Sequence, residues 1–147
     1  MNKEEIKQII PHRDPFLFLD EIIELDSLYS AVGIKNITKD EFYFKGHFPG
    51  KPVMPAVIIL ESLAQVGAVI LLSHPDHRGK LVYFTGVKNA KFRKSVVPGD
   101  QLRLECKLTR IKSTFGFGEA KAYVDGKLVC EADISFAIAT VWFPIRS

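Results

Sequence analysis

The stretch AVIILESLAQVGAVILL, residues 56–72, decides the fold of this protein. Apolar residues cover most of its helical circumference, so its length rather than its periodicity predicts an α-helix, from about Ala56 to Ser73. Pro55 precedes it directly, where proline is tolerated at a helix start. A helix that is apolar nearly all round is expected to be buried nearly all round.

This stretch is too short and too polar to predict a membrane span. It has 17 residues, whereas a spanning helix needs about 20. Glu61 and Gln65 lie inside it, and an acid in mid-span costs about 2.5–3.5 kcal/mol. No basic residues flank its start. We therefore expect a core helix and no membrane insertion.

Segments rich in strand-forming residues lie on both sides of the helix. Two precede it, FLFLDEIIEL (16–25) and SAVGIKNI (30–37). Four follow it: LVYFTGVKNAKF (81–92), QLRLECKL (101–108), FGFGEAKAYV (115–124) and LVCEADISFAI (128–138). Asp125-Gly126 is a strong signal for a two-residue hairpin turn. A short helix is expected at residues 2–10.

The predicted elements indicate an α+β fold. About six strands and one helix that is apolar on every side fit best as a curved antiparallel sheet wrapped around the helix. Alternation predicts the core-facing residues of two strands: Leu102, Leu104, Cys106 and Leu108 in one, and Leu128, Cys130, Ala132, Ile134, Phe136 and Ile138 in the last. Edge strands of such a sheet could pair with another copy across a two-fold axis.

Length and composition are those of an ordinary soluble globular protein. The 147 residues, of which 47% are hydrophobic and 25% charged, suit a single domain spanning residues 1–147. A net charge of +3 is too weak to indicate nucleic acid binding. The two cysteines, Cys106 and Cys130, have no zinc-type spacing, and no secretory signal is present. We expect a cytoplasmic protein with reduced thiols.

Glu61 is the only charged residue between Ala56 and Leu72, and Gln65 lies one turn later on the same face. Burying a carboxylate without partners is costly, so Glu61 is expected to be paired, protonated or facing a cavity. The alternatives are an acid on a solvent-facing stripe or in a purely structural network.

The loop GHFPGKPVMP, residues 46–55, is stiffened by three prolines and turned by two glycines. A stiff loop can hold the His47 imidazole in place, and an imidazole can take or give a proton near neutral pH. The alternative is a hydrogen-bonded histidine in a turn. The helix start at Ala56 and Val57 offers unpaired N–H groups that could stabilise an oxyanion.

The segment KNAKFRKSVVPGD, residues 88–100, carries four basic residues: Lys88, Lys91, Arg93 and Lys94. It is either a solvated basic edge or a docking patch for an acidic protein. His74, Asp76 and His77 lack further ligands at recognisable spacing, so no metal site is predicted. Ser62 lacks the G-x-S-x-G context of a nucleophile elbow.

The segment GHFPGKPVMPAVIILESLAQ, residues 46–65, closely resembles the signature of the FabZ-type 3-hydroxyacyl-acyl carrier protein dehydratases of bacterial fatty acid synthesis. Residues 9–26, 87–105 and 118–138 resemble the family's N-terminal segment and its downstream strands. The tail ATVWFPIRS, residues 139–147, fits the family less well and has no assigned role. The resemblance implies a hot-dog fold, a homodimer and further assembly into a trimer of dimers.

The resemblance also implies the reaction. A (3R)-3-hydroxyacyl thioester on acyl carrier protein would lose water to give the trans-2-enoyl thioester. His47 matches the catalytic histidine that removes the C2 proton, and Glu61 matches the acid that helps the C3 hydroxyl leave. His47 of one subunit would face Glu61 of the other. Glu61, where the sister dehydratase–isomerases usually carry aspartate, favours plain dehydration.

The remaining expected roles follow from the residues and from this resemblance together. Substrate contacts are expected from the loop and the helix: Phe48, Pro55, Ala56, Val57 and Gln65. Ala56 stands where the family usually has glycine. Carrier docking is expected at Lys91, Arg93 and Lys94, and no cofactor or metal is implied. Two rival functions remain, a hot-dog acyl thioesterase and a non-catalytic acyl-binding protein.

Overall fold

A computed structural model describes residues 1–139 of the chain. Six antiparallel strands form one sheet in the order β1-β2-β4-β5-β6-β3. The strands are β1 (Glu21–Asp26), β2 (Ser30–Asn36), β3 (Leu81–Phe92), β4 (Gln101–Lys112), β5 (Phe115–Val124) and β6 (Lys127–Ala139). The helices are α1 (Lys3–Lys7) and α2 (Ala56–Leu72), with 3-10 turns at Phe42–Lys45 and Pro75–His77. Beyond Ala139, the tail discussed above lies outside the described residues.

Helix α2 is the centre of the core, as predicted. From Ser62 to Leu72 every residue is buried. Gly67 lets the helix approach the sheet closely, because a Cβ there would lie 2.4 Å from Cζ of Phe136 on β6. The prediction of a sheet wrapped around one buried helix is confirmed. Among the helices of residues 1–139, none is long and apolar enough to cross a membrane.

The alternating pattern of β4 and β6 predicts the core with one exception. All four predicted positions of β4 are buried, and so are those of β6 from Cys130 onward. Leu128 is only partly buried, because the pairing of β5 with β6 shifts register there and Val129 turns inward instead. Asp125 and Gly126 have φ values of 49° and 76°, the geometry of a tight hairpin turn.

Three predicted elements have wrong boundaries. Strand β4 runs to Lys112, four residues beyond its predicted end at Leu108. The strand predicted at residues 16–25 begins only at Glu21, since the backbone of Phe16 and Phe18 bonds to the Gln65 side chain rather than to a neighbouring strand. The helix predicted at residues 2–10 is confined to Lys3–Lys7, where Asn2 caps its start. Leu17, Phe18 and Leu19 are nevertheless buried in the core.

Strand β3 lies at one edge of the sheet. Its outer side has no hydrogen-bonded neighbour within residues 1–139. From Val87 to Phe92 every residue of β3 is exposed, including the ring of Phe92 at 48%. A long exposed edge with apolar side chains is a surface that favours pairing with another chain.

Candidate active site

The loop before α2 holds His47 through backbone hydrogen bonds. Its tip is closed by reciprocal bonds between Phe48 and Lys51, N to O at 3.0 and 2.9 Å. The N–H of Val53 donates to the His47 carbonyl at 2.9 Å. The Val53 carbonyl in turn lies 2.7 Å from Nδ1 of the His47 ring. Because a carbonyl can only accept, Nδ1 carries the proton, and Nε2 of the neutral ring keeps a lone pair.

His47 borders an open pocket of about 370 Å³. The start of α2 and the segment after β3 complete its wall; its lining includes Met54, Ala56, Ile59, Arg93, Lys94 and Val96. The N–H of Met54 donates to the Val96 carbonyl at 2.8 Å, which ties the loop to the opposite wall. The structure therefore brings His47, the helix start and two basic residues to one cavity.

The first turn of α2 has unpaired backbone donors, and its first residue, Ala56, lines this pocket. The Pro55 carbonyl accepts the N–H groups of Ile58 and Ile59 at 3.0 and 3.3 Å. The N–H groups of Ala56 and Val57 have no acceptor in the described part of the chain, as expected for the first residues of a helix. The side chain of Val57 is 69% exposed. The positive end of the helix dipole thus faces the space beside His47.

Glu61 lies on α2 in a largely buried position, and burial raises the pKa of its carboxyl group. A hydrogen bond from Gln65 Nε2 to Glu61 Oε2, 3.0 Å long, opposes part of that rise in pKa. The pKa is raised on balance because the single bond does not replace the lost hydration. Burial therefore favours the protonated acid.

Gln65 is fully buried, and its amide orientation is fixed by the chain segment before β1. Its Oε1 accepts the N–H of Phe18 at 2.8 Å, and its Nε2 donates to the Phe16 carbonyl at 2.9 Å. A flipped amide would place Nε2 against the Phe18 N–H, so Nε2 must face Glu61. The expected contact between Gln65 and substrate stays a prediction. The hydrogen bonds that the Gln65 side chain makes within the chain orient Glu61.

A third polar side chain at Glu61 was missed in the sequence. Nε2 of His12 lies 3.7 Å from Glu61 Oε2. The available signal was the position of His12 between Pro11 and Pro15, two residues that stiffen the backbone on either side of it. The family resemblance covers residues 9–26 as one segment and assigns no separate role to His12. Burial, and secondarily the charge of Arg13, lower the pKa of His12.

The His47 pocket and Glu61 lie on different sides of α2. Ala56 lines the pocket beside His47, and Glu61 follows Ala56 five positions later in the helix. Five residues turn a helix through roughly 140° relative to the starting face. Among the described residues, Glu61 is not part of the His47 pocket. One chain therefore presents two half-sites: His47 with the helix start, and Glu61 with Gln65 and His12.

The three predicted docking residues do not share one surface. Arg93 and Lys94 line the pocket with His47. Lys91 instead borders a different groove, on the sheet, with the acidic residues Glu119, Glu131 and Asp133. Arg93 is also partly neutralised, since its Nη2 lies 3.5 Å from an oxygen of Glu131.

Other reactive side chains are engaged elsewhere. Burial raises the pKa of Cys106 to about 12 and that of Cys130 to about 11, so both thiols stay protonated core residues. The hydroxyl of Ser62 donates to the Ile58 carbonyl at 2.8 Å. Within residues 1–139, no three His, Cys, Asp or Glu side chains are grouped so that they could hold a metal ion.

A curved antiparallel sheet wrapped around one buried helix defines a protein of the hot-dog fold. The family described as FabA-like domain matches residues 10–133. The chain therefore belongs to the FabA-like domain family.

Curated relatives agree with this family assignment, and a solved structure shares the fold. A 3-hydroxyacyl-acyl-carrier-protein dehydratase FabZ of Clostridium botulinum (strain Loch Maree / Type A3) is 59% identical over 134 residues, 91% of this chain and 93% of that protein. The FabZ of Bacillus cereus (strain AH187) is 54% identical, covering 94% and 96%. The dehydratase heterocomplex ApeI:P from Xenorhabdus doucetiae has a TM-score of 0.74 at 16% identity, covering 90% of this chain and 89% of that chain.

Proposed function

We propose that this protein dehydrates (3R)-3-hydroxyacyl-acyl carrier protein to the trans-2-enoyl thioester in bacterial fatty acid synthesis. The observation that carries the proposal is the match to proteins named as FabZ dehydratases, at 54–59% identity over more than 90% of both chains. A match of 134 residues in a chain of 147 includes both His47 and Glu61. The site geometry supports the same chemistry.

His47 is the base in this proposal. Its Nδ1–H is held by the Val53 carbonyl at 2.7 Å, which leaves the Nε2 lone pair for the C2 proton of the substrate. The C2 proton beside the thioester is only weakly acidic. As His47 removes this proton, negative charge develops on the thioester oxygen and needs to be stabilised. The N–H groups of Ala56 and Val57, at the positive end of α2, are placed to stabilise that oxygen.

Glu61 is the acid. Gln65 donates to its Oε2, so the proton of the neutral carboxyl resides on Oε1. That proton passes to the C3 hydroxyl, the C3–O bond breaks, and water leaves as the C2–C3 double bond forms. His47 is then protonated and Glu61 ionised, and a net transfer of one proton from His47 to Glu61 through solvent restores both groups.

The pocket walls define the entry of the substrate. Phe48, 52% exposed and stacked on the His47 ring at 4.0 Å between ring centroids, and Pro55 are placed to contact the acyl thioester. Ala56 adds a methyl group, compared with the glycine usual in the family, beside the donors of the first helical turn. The backbone N–H remains, so this methyl narrows the site without removing a donor.

The complete site is shared by two subunits in our proposal. The His47 pocket and Glu61 lie on different sides of α2, and the exposed edge of β3 offers a surface for antiparallel pairing with a second copy. A homodimer would bring His47 of one subunit to Glu61 of the other. Assembly of three such dimers is the expected higher state.

Acyl carrier protein is the proposed partner. Arg93 and Lys94 flank the pocket that holds His47, where basic side chains would guide an acidic carrier and its tethered chain. Lys91 is proposed as a more distant contact, because it borders another groove. We place the reaction in the cytoplasm, with no cofactor.

One assay separates this function from its two rivals. The purified protein is incubated with (3R)-3-hydroxyacyl-acyl carrier proteins of several chain lengths, and intact carrier species are resolved by mass spectrometry while free thiol is titrated. A dehydratase gives a carrier lighter by one water and no new thiol. A thioesterase releases carrier thiol, and a non-catalytic binder retains the hydroxyacyl species unchanged. Either of the last two outcomes rejects the proposal.

A further inference from the structure

His12 occupies a position beside Glu61 that the mechanism above does not use. Its Nε2 lies 3.7 Å from Glu61 Oε2, longer than a hydrogen bond. Its Nδ1 is buried and has no hydrogen-bond partner among the described residues. Burying a ring nitrogen without a hydrogen-bond partner costs free energy. Such a residue therefore needs an explanation, which an interaction of its other ring nitrogen can supply.

The unpaired Nδ1 determines the form of the ring. An imidazolium would bury an N–H without an acceptor at Nδ1, which is costlier than burying a lone pair. Burial also lowers the pKa of His12, in agreement with a neutral ring. The proton of the neutral ring then resides on Nε2, so that His12 directs an N–H donor at Glu61 Oε2.

Among residues 1–139, no other ionisable side chain is placed to do this. Gln65 already donates one hydrogen bond to the same oxygen. Arg13, next to His12, donates instead to the carbonyls of Lys7, Ile10 and His12. Among the described residues, His12 is the only ionisable side chain in an ion-pair contact with Glu61. The acid therefore has one anchored oxygen, with one donor at bonding distance and a second donor close by.

We propose that His12 is a positioning residue that acts as a neutral hydrogen-bond donor to the carboxylate of Glu61. While Glu61 is protonated, the His12 N–H stays beyond bonding distance. When Glu61 has given its proton to the departing hydroxyl, charge appears on the carboxylate, and the N–H closes on Oε2. No proton moves from His12; it remains neutral throughout the cycle. The inference rests on the proposed dehydratase function, because it gives His12 a role in the ionised state of the acid.

Two substitutions separate this role from simple packing. His12→Leu fills the space but removes the donor. His12→Gln places an amide N–H near the position of Nε2 and cannot become a cation. If His12→Leu fails to fold, His12→Phe serves as the apolar variant, because its ring matches the imidazole more closely in shape. Folding is checked by circular dichroism and by the assembly state in solution.

The expected result has a kinetic part. Removing a hydrogen bond to an ionised group lowers kcat about tenfold or more in His12→Leu, with KM little changed. His12→Gln restores most of the loss. A twofold or smaller change in His12→Leu, or a His12→Gln variant as slow as His12→Leu, overturns the proposal.

A second readout needs no turnover. The Glu61 carboxyl is followed by NMR in protein labelled with ¹³C at glutamate, with Glu61→Gln assigning its resonance. Without the donor, the carboxylate is less stabilised, so Glu61 titrates at higher pH in His12→Leu than in the wild type, while His12→Gln titrates like the wild type. Titration at the same pH in all three proteins overturns the role of His12. Absence of dehydration in the wild type would instead overturn the proposed function.

Discussion

The two half-sites of the chain are held by different kinds of interaction. His47 lies in a loop whose shape is fixed by backbone hydrogen bonds, and it borders an open pocket. Glu61 is largely buried on α2, and side chains of Gln65 and His12 surround one of its oxygens. One half-site is open and held by backbone; the other is enclosed and held by side chains.

This difference suits the proposed division of labour. A base that borders an open pocket can pass its proton to solvent between turnovers. An acid must carry its proton at neutral pH, and burial raises the pKa of Glu61 in that direction. The contrast teaches that position is the main requirement for His47, whereas protonation state is the main requirement for Glu61.

The largest expected effect comes from removing the imidazole of His47, the central side chain of the open half-site. His47→Ala should lower kcat by about 10²–10⁴-fold, the contribution typical of a general base, while the fold persists because the loop is held by its backbone. The measurement is enoyl product formation from carrier-bound substrate. His74→Ala, at a histidine beyond the far end of α2, is the matched control and should retain activity. Turnover near the wild-type rate in His47→Ala would exclude this residue as the base.

The next test asks whether the two half-sites meet across subunits. His47→Ala and Glu61→Gln proteins, each inactive alone, are mixed under conditions of verified subunit exchange. Random pairing in a two-fold dimer gives one intact site in each mixed dimer, so activity should recover to roughly a quarter of the wild-type value. No recovery after exchange would mean that the half-sites combine within single chains.

A smaller effect is expected at the rim of the open half-site. Reversing charge at Arg93 and Lys94 should raise KM for carrier-bound substrate about tenfold at low salt, and the effect should shrink as salt screens the charges. A small thioester analogue should show little change. Lys91→Glu is the matched control in the separate groove and should have a weaker effect. Equal losses on both substrates would dismiss the docking role.

The smallest expected effect is on the free energy of unfolding, and it arises from Glu61 in the enclosed half-site. Because the folded-state pKa of Glu61 is raised above 4.5, the folded protein binds more protons than the unfolded chain above that pH. Wild-type stability is therefore lost as pH rises through the window between the two pKa values. Glu61→Gln lacks this loss, so its stability relative to the wild type should increase between about pH 4 and about pH 8. Urea unfolding at both pH values measures it; a relative stability that falls with pH would contradict burial as the cause.

Much of the fold could be predicted because its signals are local. The length and apolarity of residues 56–72 predicted α2, and alternation in β4 predicted its buried face. The errors arose where long-range contacts replace local ones. Residues 16–20 look like strand, but the Gln65 side chain takes the backbone hydrogen bonds of the Phe16 carbonyl and the Phe18 N–H. Leu128 fits the alternation, but the pairing of β5 with β6 skips Val129, and Val129 is buried in its place.

In the candidate site, too, local signals could be predicted from the sequence and long-range contacts could not. His47 and Glu61 could be selected because each is chemically out of place, one in a stiff loop and the other in an apolar helix. The pairing of His12 with Glu61 could not be predicted this way, because the two are 49 positions apart in sequence and only folding brings them within 3.7 Å. Lys91 is two residues from Arg93 in sequence, yet the two border different cavities.

The sequence alone determined that a buried helix must be enclosed by a sheet, and that one histidine and one acid are available for proton transfer. These follow from composition and spacing along the chain, which fix secondary structure and chemical capacity. The tertiary structure decided which oxygen of Glu61 is anchored, which ring nitrogen of His47 is free and which histidine faces the acid. Such choices depend on distances of a few ångströms between segments far apart in sequence, and packing alone sets those distances.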